Sequence, residues 1–325
     1  EKVPAKTTDA AAEDDFEKTL VGLPAIFWQF VILVLCIVWA TNFAVIKEIT
    51  AQEGMTTSLY AVTRFSIALA ALFPFLFSLS SSAVFLRAVE CGSWVAFGYI
   101  GQAIGLMTTT AAKSCFICCL NVVFVSLVSG VMKKYFDPRT VTAAVLAICG
   151  VFFLELAGSQ QFVVGDLFSF AQPIGFGMGY IRLEQIMEEN PRDANGVTAT
   201  KLLMVCLASW AFYVYSNGAL PDFSPVLASP VASAGLLYTG LVTTAGALLV
   251  ESVAFRFVDA SSASVIFTTE PLWAAVFAFW LISEPFSAAD GVGAFLVVMA
   301  NVVKNVPLEM LPGQSGASEA AKEGP

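Results

Sequence analysis

Glu270 stands directly before Pro271 within Ser261–Phe286, a run otherwise apolar enough to cross a bilayer. A carboxylate at membrane depth costs about 2.5–3.5 kcal/mol on insertion scales, so it belongs beside a cavity or a partner group. Proline removes a helix N–H and frees the carbonyl one turn earlier. The pair therefore predicts a broken or kinked helix next to a polar pocket. There Glu270 can carry a proton, since desolvation disfavours its ionised form, or hold a cationic group. A structural carboxylate bonded to a neighbouring helix is the alternative. Glu251, in LLVESVAF, is a second candidate for proton coupling, or else an interfacial residue.

Arg64 is the basic residue expected well inside an apolar span. It can pair with Glu270 or Glu251, grip a carboxylate with two parallel hydrogen bonds, or snorkel to the headgroups. Asn42, Gln102, Asn121 and Gln172 are uncharged polar residues in apolar surroundings, suited to interhelical bonds or to solute contact. Tyr180 and Trp273 are candidate cavity walls. The candidate site thus comprises Asn42, Arg64, Gln102, Asn121, Gln172, Tyr180 and Trp273 for substrate, and Glu270 and Glu251 for proton coupling.

The elements that must hold these residues are membrane helices. The chain has 325 residues, 58% of them hydrophobic and 13% charged, and a mean hydropathy of +0.79. Soluble domains carry about 25% charged residues, so the fold class expected is all-α and polytopic. Ten apolar spans of bilayer length are expected, near 27–46, 58–79, 89–110, 113–132, 140–156, 164–186, 199–216, 232–254, 263–282 and 288–305. Polar tails without sustained periodicity, read as disordered, flank them at 1–26 and 307–325.

With ten spans, thirteen Lys and Arg, Lys201 among them, fall on the side of the termini, and Lys47 and Lys113 on the other. That bias places both termini on the cytoplasmic or stromal side. Glu1 in place of an initial Met raises the expectation of a removed presequence and a plastid membrane.

Residues 111–152 align without gaps to 261–302, matching Ser114 with Ser264, Phe136 with Phe286, Ala144 with Ala294 and Leu146 with Leu296. The loop Lys133–Arg139 is basic and its counterpart Ser283–Asp290 is acidic. Charge flips where orientation flips, which is expected of two inverted five-helix repeats, 27–156 and 157–306, around a midplane site.

The chain has no histidine, which excludes Ser-His-Asp and Cys-His catalysis and His-ligated metals. No convergent catalytic set appears, and no enzyme is expected. The net charge of −9 marks no nucleic-acid partner. Cys115, Cys118 and Cys119 in CFICC are read as small packing residues, so neither metal nor cofactor is expected. Gly175, Gly177 and Gly179 lie in an apolar span after Pro173 with no preceding strand; they predict close packing and bending, not a dinucleotide site.

Leu35–Lys47 (LCIVWATNFAVIK), Thr63–Phe73 (TRFSIALAALF), the passage Gly101–Leu120 and Phe267–Val298 with its Glu270-Pro271 pair together resemble the EamA-type branch of the drug/metabolite transporter superfamily, over roughly residues 30–304. The resemblance implies ten helices in two inverted halves, cytoplasmic termini, and alternating-access transport of small metabolites such as amino acids, often driven by a proton or an exchanged solute. Asn42, Arg64 and Glu270 correspond to its pattern. Ser126 and Lys133-Lys134 depart from it, since the first half usually has a proline and an acidic residue there.

Two functions follow as expectations. One is a secondary transporter of a small amphoteric metabolite; no ATP-binding loop is present, so transport is gradient-driven or passive. The other is a non-transporting subunit of a larger photosynthetic or respiratory assembly. Partners are then lipid, a small-molecule substrate, and in the second case neighbouring subunits or pigments.

Overall fold

The computed structural model describes residues 22–105, 107–109, 114, 117–155, 163–282 and 288–305. Most of the two tails, Cys115, and parts of the Thr108–Ser114 turn and the Ser283–Asp290 loop lie outside these residues. Among the described residues the chain is all-helical.

Helix α1 (Ala25–Thr50) is followed by α2 (Thr57–Leu72), which continues as a 3-10 turn over Phe73–Phe77. Thr56 starts α2, its hydroxyl accepting the Leu59 N–H at 3.1 Å. Pro74 cannot donate to the turn before it and tightens the exit. Then come α3 (Ser82–Gly105), α4 (Asn121–Lys133) and α5 (Pro138–Glu155). The short α6 (Val164–Ser169) leads into α7 (Ala171–Glu189), α8 (Ala194–Asn217) and α9 (Ser224–Ala228). Helix α8 stops at Gly218, whose φ of 66° suits a residue without a side chain.

The next helix is composite. Helix α10 (Pro230–Leu237) widens into a π-helical stretch, Tyr238–Gly246, before α11 (Ala247–Ala254). Helices α12 (Ala260–Phe267) and α13 (Glu270–Ile282) are separated at Thr268–Thr269, and α14 (Ala288–Asn305) follows. The break falls where Glu270-Pro271 predicts it. Asp259 caps α12, its carboxylate accepting the Ser262 N–H at 2.9 Å.

Among the described residues, five stretches are long and apolar enough to cross a membrane: Ala25–Asn42, Thr57–Phe77, Ser82–Gly105, Pro191–Asn217 and Pro230–Ala254. Ile117–Lys133, Pro138–Phe153 and Gly291–Lys304 are apolar but shorter. Large apolar side chains such as Phe30, Phe77, Leu86 and Phe295 point outward, as a lipid-facing surface requires. In lipid, helices associate through close packing more than through water exclusion. Gly175 on α7 lies so near the Gly98 backbone of α3 that no side chain fits between them.

Helix ends gather into a charged belt at one end of the bundle. Arg87 pairs with Glu189, Arg182 with Glu90 at 2.8 Å, Lys133 with Glu184 at 3.4 Å and Lys304 with Asp137 at 3.5 Å. Glu184 also accepts the Ala260 N–H at 3.1 Å. Partial burial pushes the Asp137 carboxyl up, but the Thr140 hydroxyl, the Arg139 N–H and the Lys304 ammonium outweigh it and hold it below its ordinary value. A depressed carboxyl contributes stability that is complete above the unfolded value and is lost as pH falls through the folded one. Asp137→Asn is therefore expected to flatten the fall in melting temperature below about pH 4. Melting curves in detergent across that range check it; an unaltered acid limb would count against this assignment.

Candidate functional site

The break before Glu270 opens on a cavity of about 190 Å³. It is walled by α1, α2 and α3, residues 118–121, and α7, α8, α11, α12 and α13. Seven of the nine candidate residues line it: Asn42, Arg64, Gln102, Asn121, Tyr180, Glu251 and Glu270.

Arg64 is 8% exposed and held from two sides. Its Nε donates to Thr244 Oγ1 at 2.6 Å and its Nη1 to Tyr60 Oη at 3.2 Å, while the guanidinium lies over the Phe65 ring at 5.4 Å. Thr244 is supplied by the π-helical stretch, whose widened turns let its hydroxyl donate to the Thr239 carbonyl five residues back at 2.7 Å. Arg64 thus neither snorkels nor pairs with a carboxylate. Its other terminal nitrogen has no protein partner among the described residues.

Glu270 opens α13 and has no hydrogen-bond or ion-pair partner among the described residues. Asn121, at the start of α4, is 4% exposed and its buried Oδ1 has no partner among the described residues. Asn42 accepts the Thr243 hydroxyl at 2.7 Å, and Trp39 Nε1 donates to the Thr243 carbonyl at 3.0 Å. Aromatic rings close the walls: Tyr180 lies 4.8 Å from Phe267, Tyr99 lies 5.0 Å from Phe176, and Trp39 lies 5.5 Å from Phe267. Beside the paired Lys201 and Glu251, the cavity therefore offers a carboxylate without a bonded partner among the described residues, a partly engaged guanidinium, an amide acceptor and π faces that attract cations.

Gln172 and Trp273 lie elsewhere. Gln172 is fully buried, with Nε2 donating to Ser114 Oγ at 2.8 Å; it ties α7 to residue 114. Trp273 packs on the apolar cluster around Trp28 and Phe255.

Lys201 overturns the expectation that Arg64 is the sole basic residue deep in a span and that Lys201 belongs to a loop side. Helix α8 begins at Ala194, five residues before the expected span, so Lys201 lies two turns inside it. Its side chain is 2% exposed and its ammonium bonds directly to the Glu251 carboxylate, itself 3% exposed. The signal was present: a carboxylate in an apolar helix requires a counter-charge. Tyr99 and the threonines of Tyr238–Gly246 also escaped the sequence reading, because neither a lone tyrosine nor a π-turn has a periodic signature.

Residues 163–304 match the family model of the EamA-like transporter family. An uncharacterized transporter of Archaeoglobus fulgidus is 25% identical over 284 residues, covering 87% of each chain. A second from the same organism is 24% identical over 211 residues, 63% of this chain and 71% of the relative. A crystal structure superposes with a TM-score of 0.68 at 15% identity, over 86% of this chain and 97% of the other, which is a likeness of fold. The likeness to the EamA-like transporter family thus covers residues 163–304.

Proposed function

We propose that the protein is a gradient-driven carrier of a small metabolite, such as an amino acid or related amphoteric solute, working by alternating access around the central cavity. The observation that carries this reading is the cavity itself, with Glu270 unmatched and Arg64 only partly engaged. A solute with separated charges would bring its carboxylate to Arg64 and its cationic group toward Glu270, Asn121 Oδ1 and the aromatic walls. Asn42 and Gln102 would orient it, and Glu270 would exchange the coupling proton when no cation is bound.

In this reading the chain crosses the membrane ten times, in two inverted halves, 27–156 and 157–306, with both termini on the cytoplasmic or stromal side. The cavity draws its wall from both segments. The charged belt also links them: Arg87–Glu189, Arg182–Glu90, Lys133–Glu184 and Lys304–Asp137 each join one segment to the other. These bridges would part when the halves rock open at that end.

The test is uptake into proteoliposomes of a radiolabelled panel of neutral, acidic and basic amino acids and monocarboxylates, with and without an imposed pH gradient. Saturable uptake of at least one compound is expected. If none accumulates above protein-free liposomes, the carrier reading is lost.

A further inference from the structure

We infer that Lys201 is a positioning residue that holds Glu251 in a closed ion pair, so that Glu270 is the carboxylate that exchanges protons in the cavity. This rests on the carrier reading, but its central test does not require transport.

Three observations converge on it. Lys201 and Glu251 bond directly, with 2% and 3% of their side chains exposed. In so dry a place each charge is tolerable only beside the other. Their helices are also fixed around the contact. One turn away, Thr198 Oγ1 donates to Ser252 Oγ at 2.6 Å, joining α8 to α11 in the same strip. Gly92 of α3 lies so near the Lys201 backbone that no side chain fits between them, which packs α8 closely on α3 at this level. Finally, Glu270 faces the same cavity with no partner among the described residues.

The groups around the two carboxylates differ accordingly. Glu251 faces Lys201 of α8, Cys91 and Tyr99 of α3, and Tyr180 of α7. Glu270 faces Cys36 of α1, Arg64 of α2 and the same two tyrosines. A proton arriving at Glu251 would strand the Lys201 ammonium without a counter-ion. A proton arriving at Glu270 breaks no bond. The sequence suggested two exchanging carboxylates; the packing divides the work between them.

The experiment is a proton titration of the full-length purified protein in detergent, between about pH 5 and 9, followed with a pH-sensitive dye. Glu270→Gln should remove close to one proton from the wild-type curve. The paired variant Lys201→Met/Glu251→Met should leave the proton count as in wild type. Lys201→Met alone should add a titrating group, as Glu251 loses its counter-ion, and should lower the melting temperature by about 5–10 °C. The paired variant should recover most of that loss. Should Lys201→Met alone not fold, the paired variant still decides: a missing proton in its curve means that Glu251 exchanges, and the inference falls. An unchanged curve for Glu270→Gln would overturn it equally. Failure of uptake in liposomes, by contrast, would remove the carrier reading and leave the titration result standing.

Discussion

Glu270→Gln is expected to abolish the pH dependence of uptake and to slow uptake at neutral pH by roughly 10–150-fold. That range corresponds to the approximately 1.5–3 kcal/mol of a hydrogen bond to a charged group. Glutamine keeps the volume and the polar head but can neither release a proton nor balance a cationic solute. The carboxylate makes no hydrogen bond or ion pair among the described residues, although the Arg64 charge acts on it, so its replacement breaks no bond and should cost little stability. Melting temperature and uptake should therefore separate: the first close to wild type, the second greatly reduced and flat with pH. Initial rates measured at several pH values, for the solute carried best in the panel, check this. A variant that retained the wild-type pH profile would remove Glu270 from the transport cycle.

Arg64→Ala should act on binding more than on turnover. The guanidinium is fixed by Thr244 and Tyr60 before any solute arrives, so little ordering entropy remains to be lost. Truncation forfeits a charge-assisted contact and should raise the half-saturating solute concentration by about 30-fold or more. Arg64→Lys keeps the charge but loses the planar fork that Thr244 and Tyr60 hold, and should fall between the two. Comparable concentration dependence in wild type and Arg64→Ala would show that the solute does not touch this residue.

Much of this arrangement is legible from residue types alone. A carboxylate followed by proline in an apolar run locates the helix break, because each residue is costly there without a special setting. Seven of the nine candidate residues share one cavity for the same reason: a polar side chain in an apolar helix needs somewhere polar to go. The failures have equally physical causes. Gln172 found its polar partner in Ser114 instead of the cavity, and residue type cannot tell those destinations apart. Lys201 was missed because hydropathy averaging starts a span where polar residues end, whereas helix α8 starts seven residues earlier than this lysine. Trp273 is apolar enough to be packed anywhere.

A π-turn contains one residue more than the hydrogen-bond spacing of an ordinary helix allows, so Tyr238–Gly246 behaves like a phase shift in the winding. At its first residue, Tyr238 meets Thr41 of α1 hydroxyl to hydroxyl at 2.7 Å; further along, Thr243 meets Asn42 and Thr244 meets Arg64. Rewinding the stretch by excising one residue would turn its two flanks relative to each other by about 100°. Either Tyr238 would leave Thr41, or Thr244 would swing off Arg64 and carry Glu251 away from Lys201. A single surplus amino acid thus keeps one continuous helix in register with Thr41 and with both basic residues at once.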